Sequence, residues 1–155
     1  MNMKKKILLS VLISSLFLIN CKSENPARAS SKGSGESSIV MLTNASFKKL
    51  VFNYEANKEW KYEGDKPAII DFYADWCAPC RQLSPIVDEI AKEYADKIVV
   101  YKVDTEKERD LTQRIGITGL PTLLFIPAKG EPRMSMGVLP KESLIKAVNE
   151  ILLVK

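Results

Sequence analysis

Two of the three cysteines, Cys77 and Cys80, are separated by two residues in the segment YADWCAPCRQL. Pairs at this spacing serve as half of a zinc site, as a structural disulfide or as a redox couple. Zinc needs four Cys, His or carboxylate ligands, but the chain has no histidine and its third cysteine, Cys21, lies near the N-terminus. We therefore expect no metal here. A structural disulfide stays possible, although so short a loop stabilises a fold only slightly.

The redox interpretation accounts for the residues around the pair. The apolar strand IIDFYA ends just before Cys77, and the pattern that follows predicts a helix from about Cys77 to Tyr94 with Pro79 in its first turn. A sulfur at a helix N-terminus faces unpaired N–H groups and the positive end of the helix dipole, which favour the thiolate. Cys80 lies on the same helical face, within reach of a disulfide. We expect Cys77 to be the exposed attacking thiol and Cys80 the sheltered resolving thiol.

Strands and helices alternate along the chain from Ile39 onward. The apolar periodicity changes repeatedly between two residues and about 3.6 residues. It predicts strand 39–42, helix 43–54, strand 66–74, helix 77–94 bent at Pro85, strand 97–104, helix 106–116, strands 121–128 and 131–137, and helix 141–153. This order indicates an α/β fold, in which one mixed central sheet is flanked by helices on both faces.

The N-terminal segment has the features of an export signal. Lysines at positions 4–6 precede an apolar run at positions 7–19, which is shorter than the ~20 residues of a typical membrane span but typical of a signal peptide. Leu18 lies three places before Cys21, an arrangement that resembles the bacterial lipoprotein processing site, although Asn20 replaces the small residue preferred there. We predict a signal peptide over residues 1–21 that ends at a lipidated Cys21. An uncleaved anchor or ordinary signal cleavage is the alternative.

The composition limits the remaining organisation and the choice of partners. Residues 22–38 are rich in Ser, Gly and charge, which predicts a flexible tether between the leader and a domain over residues 39–155. Without the three N-terminal lysines, 20 cationic residues nearly balance 19 acidic residues. No basic stripe is left to indicate nucleic acid binding.

Several motifs resemble those of the thioredoxin family. WCAPC resembles the family's WCGPC, and DFYADWC, GLPT and the MG before the last helix follow in the family's order between about Ile39 and Leu153. Pro121 follows Cys80 by 41 residues, as in plain thioredoxins. This spacing leaves no room for the extra segment of the haem-maturation and peroxiredoxin branches. The chain is most similar to envelope-located, lipoprotein-type bacterial members, and the resemblance implies a thioredoxin fold.

The chain departs from the family pattern at two places. Ala78 replaces the usual Gly between the cysteines, and the stretch between Phe47 and Asp71 is longer than in plain thioredoxins. The additional segment, around Glu55–Lys66, is either a surface elaboration or a part of partner recognition. The sequence does not distinguish these two roles.

The resemblance also implies roles for residues outside the cysteine pair. Asp71, a carboxylate in an apolar strand, is expected to be buried with a raised pKa. It matches the family's acid that relays the proton of the second cysteine, and Lys102 matches the lysine beside that acid. A water-facing Asp and a solvated Lys are the alternatives. The Leu120–Pro121 bond is implied to be cis, and the substrate groove to be lined by Trp76, Ala78, Pro79, Leu120, Pro121 and Gly137.

We therefore expect a thiol–disulfide oxidoreductase with no cofactor besides the Cys77–Cys80 disulfide. It would act as a monomer outside the cytoplasm, in the periplasm and tethered through lipid, where it reduces disulfides in envelope proteins. A residue pair Ala-Pro between the cysteines, in a chain without histidine, favours the reducing end of the family's range. Electrons would come from an inner-membrane thiol donor. The alternatives are a dedicated redox partner of one client, such as a cytochrome c apoprotein, or a binding module that uses the groove around Trp76 and Pro121.

Overall fold

The computed structural model describes residues 39–153, so the predicted signal peptide, lipidated Cys21 and tether lie outside the described residues. Within the described range, no helix has the length and apolar character needed to cross a membrane. In chain order the elements are β1 (Val40–Met41), α1 (Asn44–Leu50), β2 (Ala68–Tyr73), α2 (Ala78–Glu93), β3 (Val99–Asp104), α3 (Arg109–Ile115), β4 (Thr122–Ile126), β5 (Arg133–Met136) and α4 (Lys141–Ala147).

The five strands form one mixed sheet in the order β1-β3-β2-β4-β5. β3 pairs in parallel with β1 and β2, whereas β4 runs antiparallel to both β2 and β5. β2 therefore lies in the middle of the sheet, and its first five residues are buried. This position explains the nearly continuous apolar run in its sequence. The register places Asp71 of β2 beside Lys102 of β3 and opposite Leu123 of β4.

Helices cover both faces of the sheet, as predicted. On one face, α2 and α4 pack against Ile69, Leu123 and Phe125. On the other face, residues of α1 and α3, including Phe47 and Leu111, pack against the face of β2 that carries Ile70 and Phe72. Because side chains of a strand alternate between faces, Asp71 shares the α2 side with Ile69. The alternation in β2 thus directs the one charged side chain of the strand toward the helix that begins at the cysteine pair.

Helix α1 is shorter than predicted, because it ends at Leu50 and not at Tyr54. The N–H groups of Val51 and Phe52 both donate to the carbonyl of Phe47, at 2.9 and 3.1 Å, which closes the helix. Val51 is fully buried at this point. The carbonyl of Val51 accepts the N–H of Glu63 at 2.9 Å in place of a helical donor, so α1 ends although the periodicity would allow it to continue.

Two further helices differ from the prediction by three residues or more, and the remaining boundaries by at most two. Helix α3 begins at Arg109 and not at Glu106, because the Asp104 carboxylate accepts the N–H groups of Glu106 and Lys107 and holds a turn before the helix. At the C-terminal end, α4 continues into a π-helical segment, Val148–Leu152, and not into further α-helix. Both differences are confined to the ends of predicted elements.

The segment between α1 and β2 extends the core on the α1 side. Four of its aromatic side chains pack, partly buried, against that core: Phe52, Tyr54, Trp60 and Tyr62. The Tyr62 hydroxyl donates to the carbonyl of Lys66 at 2.7 Å, and the N–H of Glu63 donates to the carbonyl of Val51 at 2.9 Å. These contacts make the aromatic residues of the additional segment a part of the folded structure.

Candidate active site

The start of α2 is built around the cysteine pair. Cys77 precedes the first helical residue with an extended backbone, and its Sγ accepts the N–H of Cys80 at 3.1 Å. Pro79 occupies the first turn, where a helix needs no N–H donor. The two cysteines are joined as a disulfide, with Cα atoms 5.2 Å apart. The predicted helix start and the predicted pairing are confirmed.

The surroundings of Cys77 favour negative charge on its sulfur. The N–H group of Cys80 points at the sulfur, and the first turn of α2 contains no acidic residue. The N-terminus of a helix carries a partial positive charge that arises from its aligned peptide dipoles. In α2, a helix of 16 residues, this charge lies beside Cys77. Both effects stabilise a thiolate at Cys77 after the disulfide has been reduced.

The expected difference in exposure between the two cysteines is wrong for the disulfide-bonded form. Cys77 is 3% exposed and Cys80 is 4% exposed. Ala74 is buried beside them, and Tyr73 and Leu120 pack against the pair. The predicted exposure considered only position on the helix, whereas packing from other segments covers both sulfurs.

Exposed residues flank the buried pair. Trp76 is 68% exposed, and Ala78 and Pro79 between the cysteines are also exposed. A protein that approaches Cys77 therefore meets these three side chains. The groove that the sequence predicts around them stays a prediction.

The cis-proline loop lies against the same pair. The Leu120–Pro121 bond is cis, and the Leu120 side chain contacts the cysteine cluster. The Pro121 carbonyl accepts the N–H of Gly137 at 2.8 Å. Gly137 has a φ of 94°, in the left-handed region that side chains disfavour. The structure thus brings Gly137 to Pro121, while the adjacent Leu120 packs against the cysteine cluster.

Sequence reasoning missed three exposed apolar side chains at the end of β5. Met134, Met136 and Val138 are all exposed, although large apolar side chains are usually buried. The Met136 sulfur lies so close to Gly119 that a Cβ there would be only 2.7 Å away. Because Gly119 directly precedes Leu120, the Met136 side chain extends the apolar surface next to the loop. The alternating pattern RMSM was the available signal, since it places both methionines on one face.

Asp71 is a buried acid, as predicted. The residue is 1% exposed, and burial raises its pKa to about 6, while the nearby Lys102 ammonium acts in the opposite direction. Lys102 Nζ lies 4.0 Å from Asp71 Oδ2 and 3.5 Å from Asp88 Oδ1. The second oxygen of Asp71, Oδ1, has no hydrogen-bond partner among residues 39–153. The prediction that Lys102 accompanies the buried acid is also confirmed.

A cavity of about 360 Å³ lies between this acid and Cys80. Asp71, Cys80 and Lys102 contribute to its lining, and the half-exposed Met41 of β1 lies at its edge. Asp71 and Cys80 thus face one space that can admit water. Within residues 39–153, no cluster of three or more Cys, His, Asp or Glu side chains is arranged to hold a metal ion.

Replacement of Asp71 by Asn should stabilise the protein above pH 6. In the unfolded chain this carboxyl ionises near its ordinary pKa of 3.8, whereas the folded protein holds it near 6. Below pH 3.8 the carboxyl is protonated in both states, so the stability difference builds up as pH rises from 3.8 to about 6 and stays constant above that. At ~1.36 kcal/mol per pKa unit, Asp71→Asn should raise the free energy of unfolding by about 3 kcal/mol at pH 8.

Urea unfolding of the oxidised protein between pH 4 and pH 8 measures this difference. Asp75→Asn, which changes an exposed carboxylate in the same segment, is the matched control and should give no comparable gain. Equal pH dependence of stability in the wild type and in Asp71→Asn would contradict the assignment of a raised pKa to Asp71.

Known proteins share both this fold and this motif order. The family model described as Thioredoxin matches residues 38–150. Thioredoxin of Borreliella burgdorferi is 47% identical over 111 residues, which are 72% of this chain and 95% of that protein. Thioredoxin of Pyropia yezoensis is 36% identical over 113 residues, covering 73% and 96% of the two chains. The solved structure of Malassezia sympodialis thioredoxin matches with a TM-score of 0.62 at 26% identity, covering 76% of this chain and 94% of that one. Because the matched region contains the disulfide-bonded Cys77 and Cys80, the chain belongs to the thioredoxin family and is a thiol–disulfide oxidoreductase.

Proposed function

We propose that this protein reduces disulfide bonds in extracytoplasmic proteins, through a mixed disulfide on Cys77 that Cys80 resolves. The observation that carries the proposal is the position of Cys77 at the N-terminus of α2, where its sulfur accepts the N–H of Cys80. The same hydrogen bond and the helix dipole stabilise the thiolate that must attack. Cys80 lies one turn further into the helix and lacks this position at the terminus.

The reaction passes two electrons from the reduced pair to the substrate. The Cys77 thiolate attacks one sulfur of the substrate disulfide, forms a mixed disulfide and releases the other substrate sulfur as a thiolate. The Cys80 thiolate then attacks the Cys77 sulfur, which restores the Cys77–Cys80 disulfide and releases the second substrate sulfur. The substrate ends with two thiols after its released sulfurs take up protons.

Asp71 is proposed to accept the proton of Cys80 before the second attack. The carboxylate and Cys80 line one cavity, so a water molecule there can carry the proton between them. The pKa of Asp71, about 6, lies close to neutral pH. A general base works best when its pKa is near the pH at which it operates. Lys102 would stabilise the ionised form of Asp71 during the transfer.

The proposed direction is reduction. An oxidant of this fold stabilises its reduced thiolate with a histidine between the cysteines, whereas Ala78 and Pro79 occupy those positions here. An extracytoplasmic reductant needs a supply of electrons, for which we propose an inner-membrane thiol donor. Trp76, Leu120 and the exposed residues of β5 supply an apolar surface for both the donor and the clients.

Substitution of each cysteine should separate the attacking thiol from the resolving thiol. A Cys80→Ser variant should accumulate mixed disulfides with its clients, because attack proceeds and resolution cannot. The Cys77→Ser variant should trap no more than background. Non-reducing gels of cells that express each variant measure this difference, and the trapped proteins identify the clients. Equal trapping by both variants would contradict the roles, and a single trapped client would favour a dedicated redox partner.

Asp71→Asn should slow the second step far more than the first. In the wild type, release of the mixed disulfide should speed up as pH rises through about 6, because the ionised carboxylate is the proton acceptor. Without it, release at pH 7 should be about 100-fold slower, with formation little changed. Single-turnover measurements of both steps, with Asp96→Asn at an exposed carboxylate outside the cavity as control, test the role. Unchanged release rates would remove Asp71 from the mechanism.

The proposed location depends on Cys21. Metabolic labelling should place lipid on Cys21, and a Cys21→Ser variant should move from the membrane fraction to the soluble fraction. Cys77→Ser, a matched Cys-to-Ser change in the folded domain, should stay with the membrane. If Cys21→Ser remains membrane-bound after a high-salt wash, an uncleaved anchor and not a lipid holds the protein.

A further inference from the structure

The Lys102 ammonium is held mainly by a residue to which the sequence assigned no role. Lys102 Nζ donates to Ser84 Oγ at 2.6 Å, a distance shorter than its separation of 3.5 Å from Asp88 Oδ1. Its distance to Asp71 Oδ2 is 4.0 Å, which is beyond direct hydrogen bonding. The Lys102 ammonium therefore lies between two carboxylates, but its shortest hydrogen bond is to the neutral hydroxyl of Ser84.

The geometry of α2 creates this arrangement. Cys80, Ser84 and Asp88 follow one another at intervals of four residues, so they lie on one face of the helix. That face packs toward β2 and β3, where the strand register places Asp71 beside Lys102. One face of α2 thus places Cys80, Ser84 and Asp88 next to the buried acid of β2 and the lysine of β3.

The other polar groups around the ammonium make weaker contacts. The Tyr73 ring of β2 has its centre 5.7 Å from Lys102 Nζ. Arg81 of α2 and Asp75 also line the cavity, but the Arg81 guanidinium donates to the Asp75 carbonyl at 2.9 Å. β1 contributes Met41, which carries no charge. Ser84 is therefore the contact that decides where the ammonium lies.

We propose that Ser84 is a positioning residue, which holds the Lys102 ammonium away from direct contact with Asp71 so that this carboxyl can exchange a proton with Cys80. The inference rests on the proposed proton-accepting role of Asp71. A direct ion pair would stabilise the carboxylate and weaken it as a base. Because the serine hydroxyl is neutral, it fixes the ammonium without adding a second charge beside the acid.

Removal of the hydroxyl should release the ammonium toward Asp71. Of the two carboxylates, Asp71 is buried and Asp88 is half-exposed, so the attraction of Asp71 is less screened by water. In Ser84→Ala we expect the pKa of Asp71 to fall by about one unit. Carboxyl ¹³C NMR titration of the oxidised protein measures it, since disulfide-bonded cysteines do not titrate. Ser84→Thr, which keeps the hydroxyl, should restore the wild-type titration, and Ser135→Ala on β5 should leave it unchanged.

A double-mutant cycle separates positioning from a general change of the helix. In a Lys102→Met background no ammonium is left to move, so Ser84→Ala should no longer change the titration of Asp71. An unchanged or raised pKa in the single variant, or an equal shift in both backgrounds, would overturn the proposal.

The rate of mixed-disulfide release provides a second readout. In Ser84→Ala, the pH midpoint of the release rate should fall by the same amount as the pKa of Asp71 measured by NMR. If the titration shifts and the release profile does not, the role of Asp71 as proton acceptor fails, while the positioning of Lys102 by Ser84 stands. The two measurements therefore distinguish failure of this inference from failure of the proposed mechanism.

Discussion

A carboxylate buried in the central strand is the constraint on which the active site depends. Asp71 is almost fully buried, because β2 has a strand on each side and α2 covers its face. An ionised group there destabilises the fold unless a partner compensates it. Lys102 supplies partial compensation from the neighbouring strand, at a distance that leaves the pKa of the acid raised. A fold optimised only for stability would place an apolar side chain at this position, so retention of the acid is best explained by its chemistry.

The two sulfurs differ because one helix places them in different electrostatic surroundings. Cys77 is at the terminus and accepts a backbone N–H, whereas Cys80 faces the cavity that holds Asp71. Backbone dipoles can thus stabilise a thiolate at the first sulfur without a titratable neighbour. The second sulfur has a carboxylate within the same cavity. Since both cysteines are buried in the disulfide-bonded form, these surroundings and not exposure distinguish the roles proposed for them.

Sequence patterns predicted those features that depend on local order. The apolar run around Asp71 predicted its burial, and Pro79 after Cys77 predicted the helix start. The burial of Cys77 was not predictable in this way, because Leu120 covers it from a distant part of the chain. Ser84 gave no signal for the same reason. A serine within a helix resembles a solvent-facing residue, and its contact with Lys102 joins residues 18 positions apart.

Stability and proton transfer make opposing demands on the Lys102 ammonium. Direct contact with Asp71 would stabilise the ionised fold but would hold the carboxylate charged and weakly basic. Complete removal of the cation would leave a buried charge without compensation, which favours the protonated form at neutral pH. The Lys102 ammonium interacts with Ser84 and Asp88 as well as with Asp71. It therefore compensates the charge of Asp71 without direct contact between the two groups. Of these three groups only Asp71 is both charged and buried, so a small displacement of the ammonium changes the energy of that acid more than the energy of the other two.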